Sequence, residues 1–109
     1  TIAPPPPPDT QNLHWADAHS HLQDPRLAPR LDDVLSRARA AGLVLLHAAA
    51  TCEADWPAVA ALADAHPGLV IASFGLHPWF IQEKSSAWLR TLRALLADRP
   101  AGIGEIGLD

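Results

Sequence analysis

The chain has 109 residues, 49% of them hydrophobic, and a formal net charge of −4 with histidine neutral. That length suits one small domain rather than a large enzyme core, and the apolar fraction argues against disorder of the whole chain. The acidic balance argues against a nucleic-acid binder working by bulk positive charge, though not against a metal enzyme that handles phosphates locally.

Residues 1–12, TIAPPPPPDTQN, read as a proline-rich tail. Five consecutive prolines, Pro4 to Pro8, lack backbone donors and favour an extended polyproline conformation. A disordered, solvated spacer is the expectation, with docking to a proline-reading module as the alternative. The sequence opens on Thr1 and contains no methionine, so a missing or processed start is expected. No basic segment precedes an apolar stretch as in a signal peptide.

From Leu13 to Asp109 two kinds of segment alternate. LHWADAHSHL, 13 to 22, is strand-like and puts Asp17, His19 and His21 on one face. Residues 30 to 41 space Leu31, Val34, Leu35 and Ala38 as a helix, with Gly42 as its C-cap. LVLLHAAA, 43 to 50, is a buried strand and far too short to span a bilayer. Asp55 is placed to cap a second helix, with Pro57 in its first turn and Val59, Leu62 and Ala63 on its buried stripe. LVIASFGLHP, 69 to 78, reads as a third strand. Ser85 or Ser86 would cap a third helix that buries Trp88, Leu92 and Leu95. AGIGEIGLD, 101 to 109, reads as a fourth strand.

Strands apolar on both faces, alternating with helices, predict a parallel α/β sheet covered by helices. At about 30 residues per unit, eight units would need roughly 250 residues, the size of a (β/α)8 barrel. This chain would hold about the first three and a half. An open doubly wound sheet shares the local pattern, but no GxGxxG fingerprint follows the first strand.

His19 and His21, at i and i+2 near the carboxyl end of a strand, can both reach one metal ion. A pair of polar residues near a turn is the plainer reading. Asp17 could orient a ligand histidine from behind. Glu105 shares strand parity with Ile103, Gly107 and Asp109. A carboxylate in a covered strand demands a cation, either a metal or an unseen lysine or arginine. Gly102, Gly104 and Gly107 leave room for a close approach. His77 stands where Pro78 breaks its strand, able to contact substrate or to cap a turn. Trp79 and Phe80 beside it could form an aromatic lip for a nucleobase or simply cover a rim. His14, His47 and His66 read as structural. Cys52 has no partner base and reads as an inert thiol; as the single cysteine it also excludes an internal disulfide and suits a reducing, cytoplasmic setting.

DAHSHL, GLHPWF and GIGEIGLD, in this order, resemble the TatD family of metal-dependent deoxyribonucleases of the amidohydrolase superfamily. The resemblance runs over residues 14–109, and the spacing of 84 residues from His21 to Glu105 suits it. It implies a TIM-like barrel, with His19 and His21 matching histidines that bind one metal and Glu105 matching the carboxylate that bridges two divalent ions. His77 matches the histidine of a GxHP motif. The implied reaction is hydrolysis of phosphodiester bonds, typically 3′–5′ trimming of single-stranded DNA, with Glu105 catalytic. Imidazole and carboxylate donors suit zinc or manganese, whereas the family's usual metal is magnesium. Two further histidines and an aspartate come from later strands in the family, so the 109 residues alone are expected to have little or no activity. No membrane or stable protein partner is implied. Two alternatives stand beside this: another amidohydrolase-type ester or C–N hydrolase, and a truncated, non-catalytic metal-binding relic.

Overall fold

The computed structural model describes residues 2–5 and 13–109. Residues 2–5 are exposed and carry no regular secondary structure, and the rest of the proline-rich tail lies outside the described residues.

Seven principal elements follow in alternation: β1 (Trp15–Ser20), α1 (Leu31–Ala40), β2 (Leu43–Ala49), α2 (Trp56–Ala65), β3 (Val70–Phe74), α3 (Trp88–Asp98) and β4 (Ala101–Ile103). The expected α1 forms as read. Asp32 and Asp33 occupy its first turn and Arg37 and Arg39 its last, the arrangement that the helix dipole favours. Gly42 closes it at φ 96°, a left-handed conformation costly for any residue with a Cβ. α3 buries the predicted Trp88, Leu92 and Leu95 stripe against the core.

The helix caps differ from expectation. Ala87 directly precedes α3, without a side-chain cap. Ser85 instead donates its hydroxyl to Glu53 Oε2 at 2.8 Å and accepts from the Ala87 N–H at 3.2 Å. Asp55 precedes α2 but makes no side-chain cap there. Its carboxylate turns back to the Thr51 and Cys52 N–H groups, because those amides lie beyond the end of β2 with no ladder to satisfy them.

The four strands are all parallel, in the order β1-β2-β3-β4. A doubly wound sheet reverses its direction of growth at a switch point, whereas here every strand adds on the same side. With right-handed crossovers this places all three helices on one face, the arrangement of a barrel wall. Leu46, Ala48, Val70, Ala72 and Phe74 face those helices and are buried. His47, Ile71 and Ser73 line the opposite face, so helices cover one side of the sheet and not both. Arg99, just beyond α3, clamps α2 with paired hydrogen bonds of 3.0 and 3.1 Å to Asp64. That guanidinium holds the Asp64 carboxyl below the usual carboxylate range.

The strands end sooner than expected. β3 stops at Phe74, and Pro78 opens a 3₁₀ turn, Pro78–Glu83. β4 is three residues long, and Glu105 lies beyond it. The hydrogen bonds show why: Gly104 N–H donates to Phe74 O on β3, but Glu105 N–H donates to Ala50 O beyond β2. After Ile103 the chain crosses over the end of β3 toward β2. An ordinary ladder bonds one neighbour only, so the strand ends where the crossing begins.

Trp56 anchors the core beneath this crossing. It is 1% exposed, and its indole N–H donates to Gly75 O at 2.9 Å. Trp56→Phe keeps much of the apolar volume but strips that carbonyl of its partner, and is expected to cost about 1–3 kcal/mol. Trp56→Ala is expected to cost about 3–5 kcal/mol. Urea denaturation of the two variants against the parent protein checks the ranking, and equal midpoints would contradict the role given to Trp56.

Candidate metal centre

β1 and β4 are the two edges of the sheet, three strand spacings of about 4.8 Å apart if it were flat. Residues at their ends nevertheless meet. His19 Nε2 lies 3.3 Å from Glu105 Oε1, and His21 Nε2 lies 3.9 Å from Glu105 Oε2. The two imidazoles stand edge to face, 4.9 Å between centroids at 88°. One donor atom from each of His19, His21 and Glu105 falls within 4.8 Å of the others.

His19 and His21 come from the end of β1 and Glu105 from beyond β4, and each is held by its own contacts. His19 is near the end of β1, and its N–H donates to Asp17 Oδ1 at 3.0 Å. Asp17 therefore fixes backbone and does not reach an imidazole ring. His21, just past β1, lies 2.9 Å from Ala49 O through Nδ1. A carbonyl oxygen only accepts, so Nδ1 carries a proton, and in the neutral ring the lone pair is left at Nε2, on the side of Glu105. Glu105 comes in over Gly75. A Cβ on Gly75 would stand 2.3 Å from Glu105 O and 2.8 Å from Gly104 C. The close approach expected at the glycines of the last segment is met at Gly104, where a Cβ would stand 3.3 Å from Ser73 Oγ, and is tighter still at the glycine of GLHP. Gly102 and Gly107 face no comparable obstruction.

The chemistry of these donors fits a divalent cation. Two imidazole nitrogens and a carboxylate form a mixed nitrogen–oxygen set suited to zinc or manganese, and three protein ligands leave positions open for water or substrate. The neutral His21 tautomer that the Ala49 contact favours is the one a metal ligand needs, with its other nitrogen tied to a backbone carbonyl. Glu105 is also less buried than its strand reading implied, with 24% of its side chain exposed.

His77 and Asp109 do not join this cluster. The His77 N–H donates to Thr51 O at 2.8 Å, and its Nδ1 accepts from the Trp79 N–H at 3.1 Å. The Trp79 indole N–H donates to Asp109 Oδ2 at 3.0 Å, and its ring packs against His77 at 5.0 Å between centroids. Trp79 itself is 71% exposed. His77, Trp79 and Asp109 form a separate grouping at the same end of the sheet.

His47, read from the sequence as structural, lies beside His19 on the uncovered face with both ring nitrogens engaged. Its Nδ1 donates to Ala18 O at 2.8 Å and its Nε2 accepts from Ser73 Oγ at 2.9 Å. Its ring centroid is 6.4 Å from that of His19. Together with His19, Ser73 and Glu105 it lines a depression of about 640 Å³ on the uncovered face. The available signal was the interruption of two apolar strand runs by a polar residue each, His47 and Ser73. Gln23 and Asp55 were missed in their roles at this site, and nothing local in the sequence marks them.

A sequentially ordered parallel βα sheet with candidate metal-binding side chains gathered at its strand ends has the arrangement of part of a TIM-like barrel. Comparison with known proteins gives the particular one: the family model for TatD related DNase matches residues 16–109, and the chain belongs to that family. It is 34% identical to human deoxyribonuclease TATDN3 over 85% of this chain and 37% of that protein. It is 35% identical to YjjV of Escherichia coli K12, described as an uncharacterized metal-dependent hydrolase, over 87% of this chain and 38% of YjjV. The crystal structure of YjjV, a TatD homologue, superposes with a TM-score of 0.75 over 87% of this chain and 38% of that one. The chain thus spans somewhat over a third of the length of these relatives, corresponding to their N-terminal part.

Gly75→Ala tests the crossing directly. The added methyl has backbone on its far side, which cannot rotate away as a side-chain tip would. Overpacking of this kind is expected to cost about 1–3 kcal/mol and to move residues 104–105 away from β1. Chemical denaturation and a crystal structure of the variant provide the check. A structure with the His19–Glu105 contact intact and stability unchanged would contradict this account.

Proposed function

We propose that this chain forms part of a metal-dependent hydrolase that cleaves phosphodiester bonds of DNA. Single strands are the preferred substrate, shortened from the 3′ end, in a cytoplasmic setting. The observation that carries the reading is the convergence of His19, His21 and Glu105 donors within 4.8 Å of one another in a chain of the TatD family. The human relative's description as a deoxyribonuclease supports the substrate class. Among the described residues no helix is long and apolar enough to cross a membrane.

His19 and His21 would hold one divalent cation, and Glu105 would bridge it to a second. When bound, such cations supply Lewis acidity at the phosphoryl oxygens and lower the pKa of a water nucleophile. The protein's own residues do the positioning. His21 presents a lone pair because Ala49 O holds its proton at the other nitrogen. Glu105 turns one oxygen toward each histidine, so its carboxylate is oriented before any substrate arrives. A centre of this kind brings positive charge to a polyanion locally, which reconciles the substrate with a net charge of −4. Zinc, manganese and magnesium remain the candidate ions, with the donor set favouring the first two.

The test is release of nucleotides from a 3′-labelled single-stranded oligonucleotide by the intact protein, with each metal and with chelator. Glu105→Gln and His21→Ala are expected to lower turnover by at least about 10²-fold, since loss of metal positioning forfeits several kcal/mol of transition-state stabilisation. Unchanged turnover in Glu105→Gln would overturn the assignment. Cleavage of esters or amides but not of DNA would instead favour a wider amidohydrolase role, which the unspecified substrate of YjjV leaves open.

A polypeptide of residues 1–109 alone is expected to show little or no nuclease activity. Three donors leave much of a two-metal coordination shell unfilled. Assay of that polypeptide beside an intact family member gives the answer, and comparable turnover would refute the expectation.

A further inference from the structure

Resting on the metal-centre reading above, we infer that Gln23 and Asp55 are positioning residues, a clamp that sets the backbone at the exit of β2 and, through it, the tautomer of His21. Asp55 is not among the residues whose donor atoms cluster, which are His19, His21 and Glu105.

The Asp55 carboxylate is the fixed point. Its two oxygens accept from Thr51 N–H at 3.1 Å, from Cys52 N–H at 3.3 Å and from the Thr51 hydroxyl at 3.0 Å. Four donor groups converge on it once the Gln23 amide is included, at 3.0 Å. The same Gln23 nitrogen donates to Ala49 O at 2.8 Å. An amide nitrogen carries two hydrogens, so both are spent on these acceptors. The contact of 3.5 Å between Gln23 Nε2 and His21 Nδ1 is therefore an approach of two donors, not a bond.

This polarity fixes the amide's orientation. Reversed, Gln23 would aim an oxygen at both the Ala49 carbonyl and the Asp55 carboxylate. Gln23 Oε1 pays for the orientation instead, buried with no hydrogen-bond partner among the described residues. The orientation serves Ala49 O. Pinned from Gln23 on one side, it accepts His21 Nδ1–H on the other at 2.9 Å. With the carbonyl fixed, the tautomer that exposes Nε2 is favoured whether or not a metal is bound.

Gln23→Met and Gln23→Glu test this in the intact protein. The first keeps length and bulk without donors, and the second sets a carboxylate against Asp55. Both are expected to lower zinc or manganese affinity by about 10–100-fold, the usual effect of removing such a support. Titration calorimetry gives the affinity, and circular dichroism confirms a folded chain. Nitrogen-15 NMR of the histidine rings, on metal-free protein, is expected to show one His21 tautomer in the parent and a mixture in both variants. A purely structural glutamine would leave that ring pattern unmoved. One unchanged tautomer with unchanged affinity in a folded variant overturns the inference. If the parent binds neither metal through His21, the function proposed above falls, and the NMR result still decides the role of Gln23.

Discussion

The site depends on three consecutive carbonyl oxygens at the exit of β2. Ala49 O accepts from His21 Nδ1 and from Gln23, Ala50 O accepts from the Glu105 N–H, and Thr51 O accepts from the His77 N–H. The segments DAHSHL, GLHPWF and GIGEIGLD, distant in sequence, are thereby referred to a single short stretch of backbone. In a parallel sheet the last carbonyls of a strand have no ladder partner ahead of them, and an unpaired buried carbonyl is costly. These three are satisfied by the functional segments themselves. Proper formation of the site and satisfaction of the strand end are the same event.

That arrangement explains why small residues occupy the neighbouring positions. Ala48, Ala49 and Ala50 are at most 1% exposed, so the strand exit is deeply covered while its carbonyls stay reachable. Gly75 at the end of β3 has no side chain because the backbone of residues 104 and 105 passes over it on the way to Ala50. Trp56 fills the space below and takes the Gly75 carbonyl. A larger residue at Gly75 would press on Glu105, and a smaller one at position 56 would leave the crossing unsupported. The candidate metal centre is thus continuous with the hydrophobic core rather than appended to it.

Much of the fold was legible because periodicity reports burial. α1 and α3 carry their apolar stripes at helical spacing, and β2 and β3 show as short apolar runs. What escaped was whatever long-range competition decides. Asp55 has the sequence position of a helix cap, yet the orphan amides of Thr51 and Cys52 compete for its carboxylate and win. Ser85 likewise spends its hydroxyl on Glu53. The last segment looked like a strand through Asp109 because glycine and isoleucine alternate there, but its hydrogen bonds change partner after residue 104. Of the site, the His19, His21 and Glu105 cluster could be named from motif resemblance alone. The interruption at His47 was legible but its direction was not, since a histidine within an apolar run looks the same whether it faces helices or an uncovered sheet face.

The direction of that face bears on how a polyanion would approach. With the helices on one side, His47, Ser73 and the depression beside Glu105 lie on the other, and the exposed Trp79 stands with the loops beyond the strand ends. His47 has both ring nitrogens engaged in the described structure, so it is poorly placed to bind an ion without giving up Ser73 or Ala18. His19 differs: its ring is 52% exposed, with Nε2 turned to Glu105. Proximity of imidazoles alone therefore does not make a ligand set. Free ring nitrogens separate His21 from His47, and the backbone, through Ala49 and Ala18, fixes which nitrogen of each carries a proton.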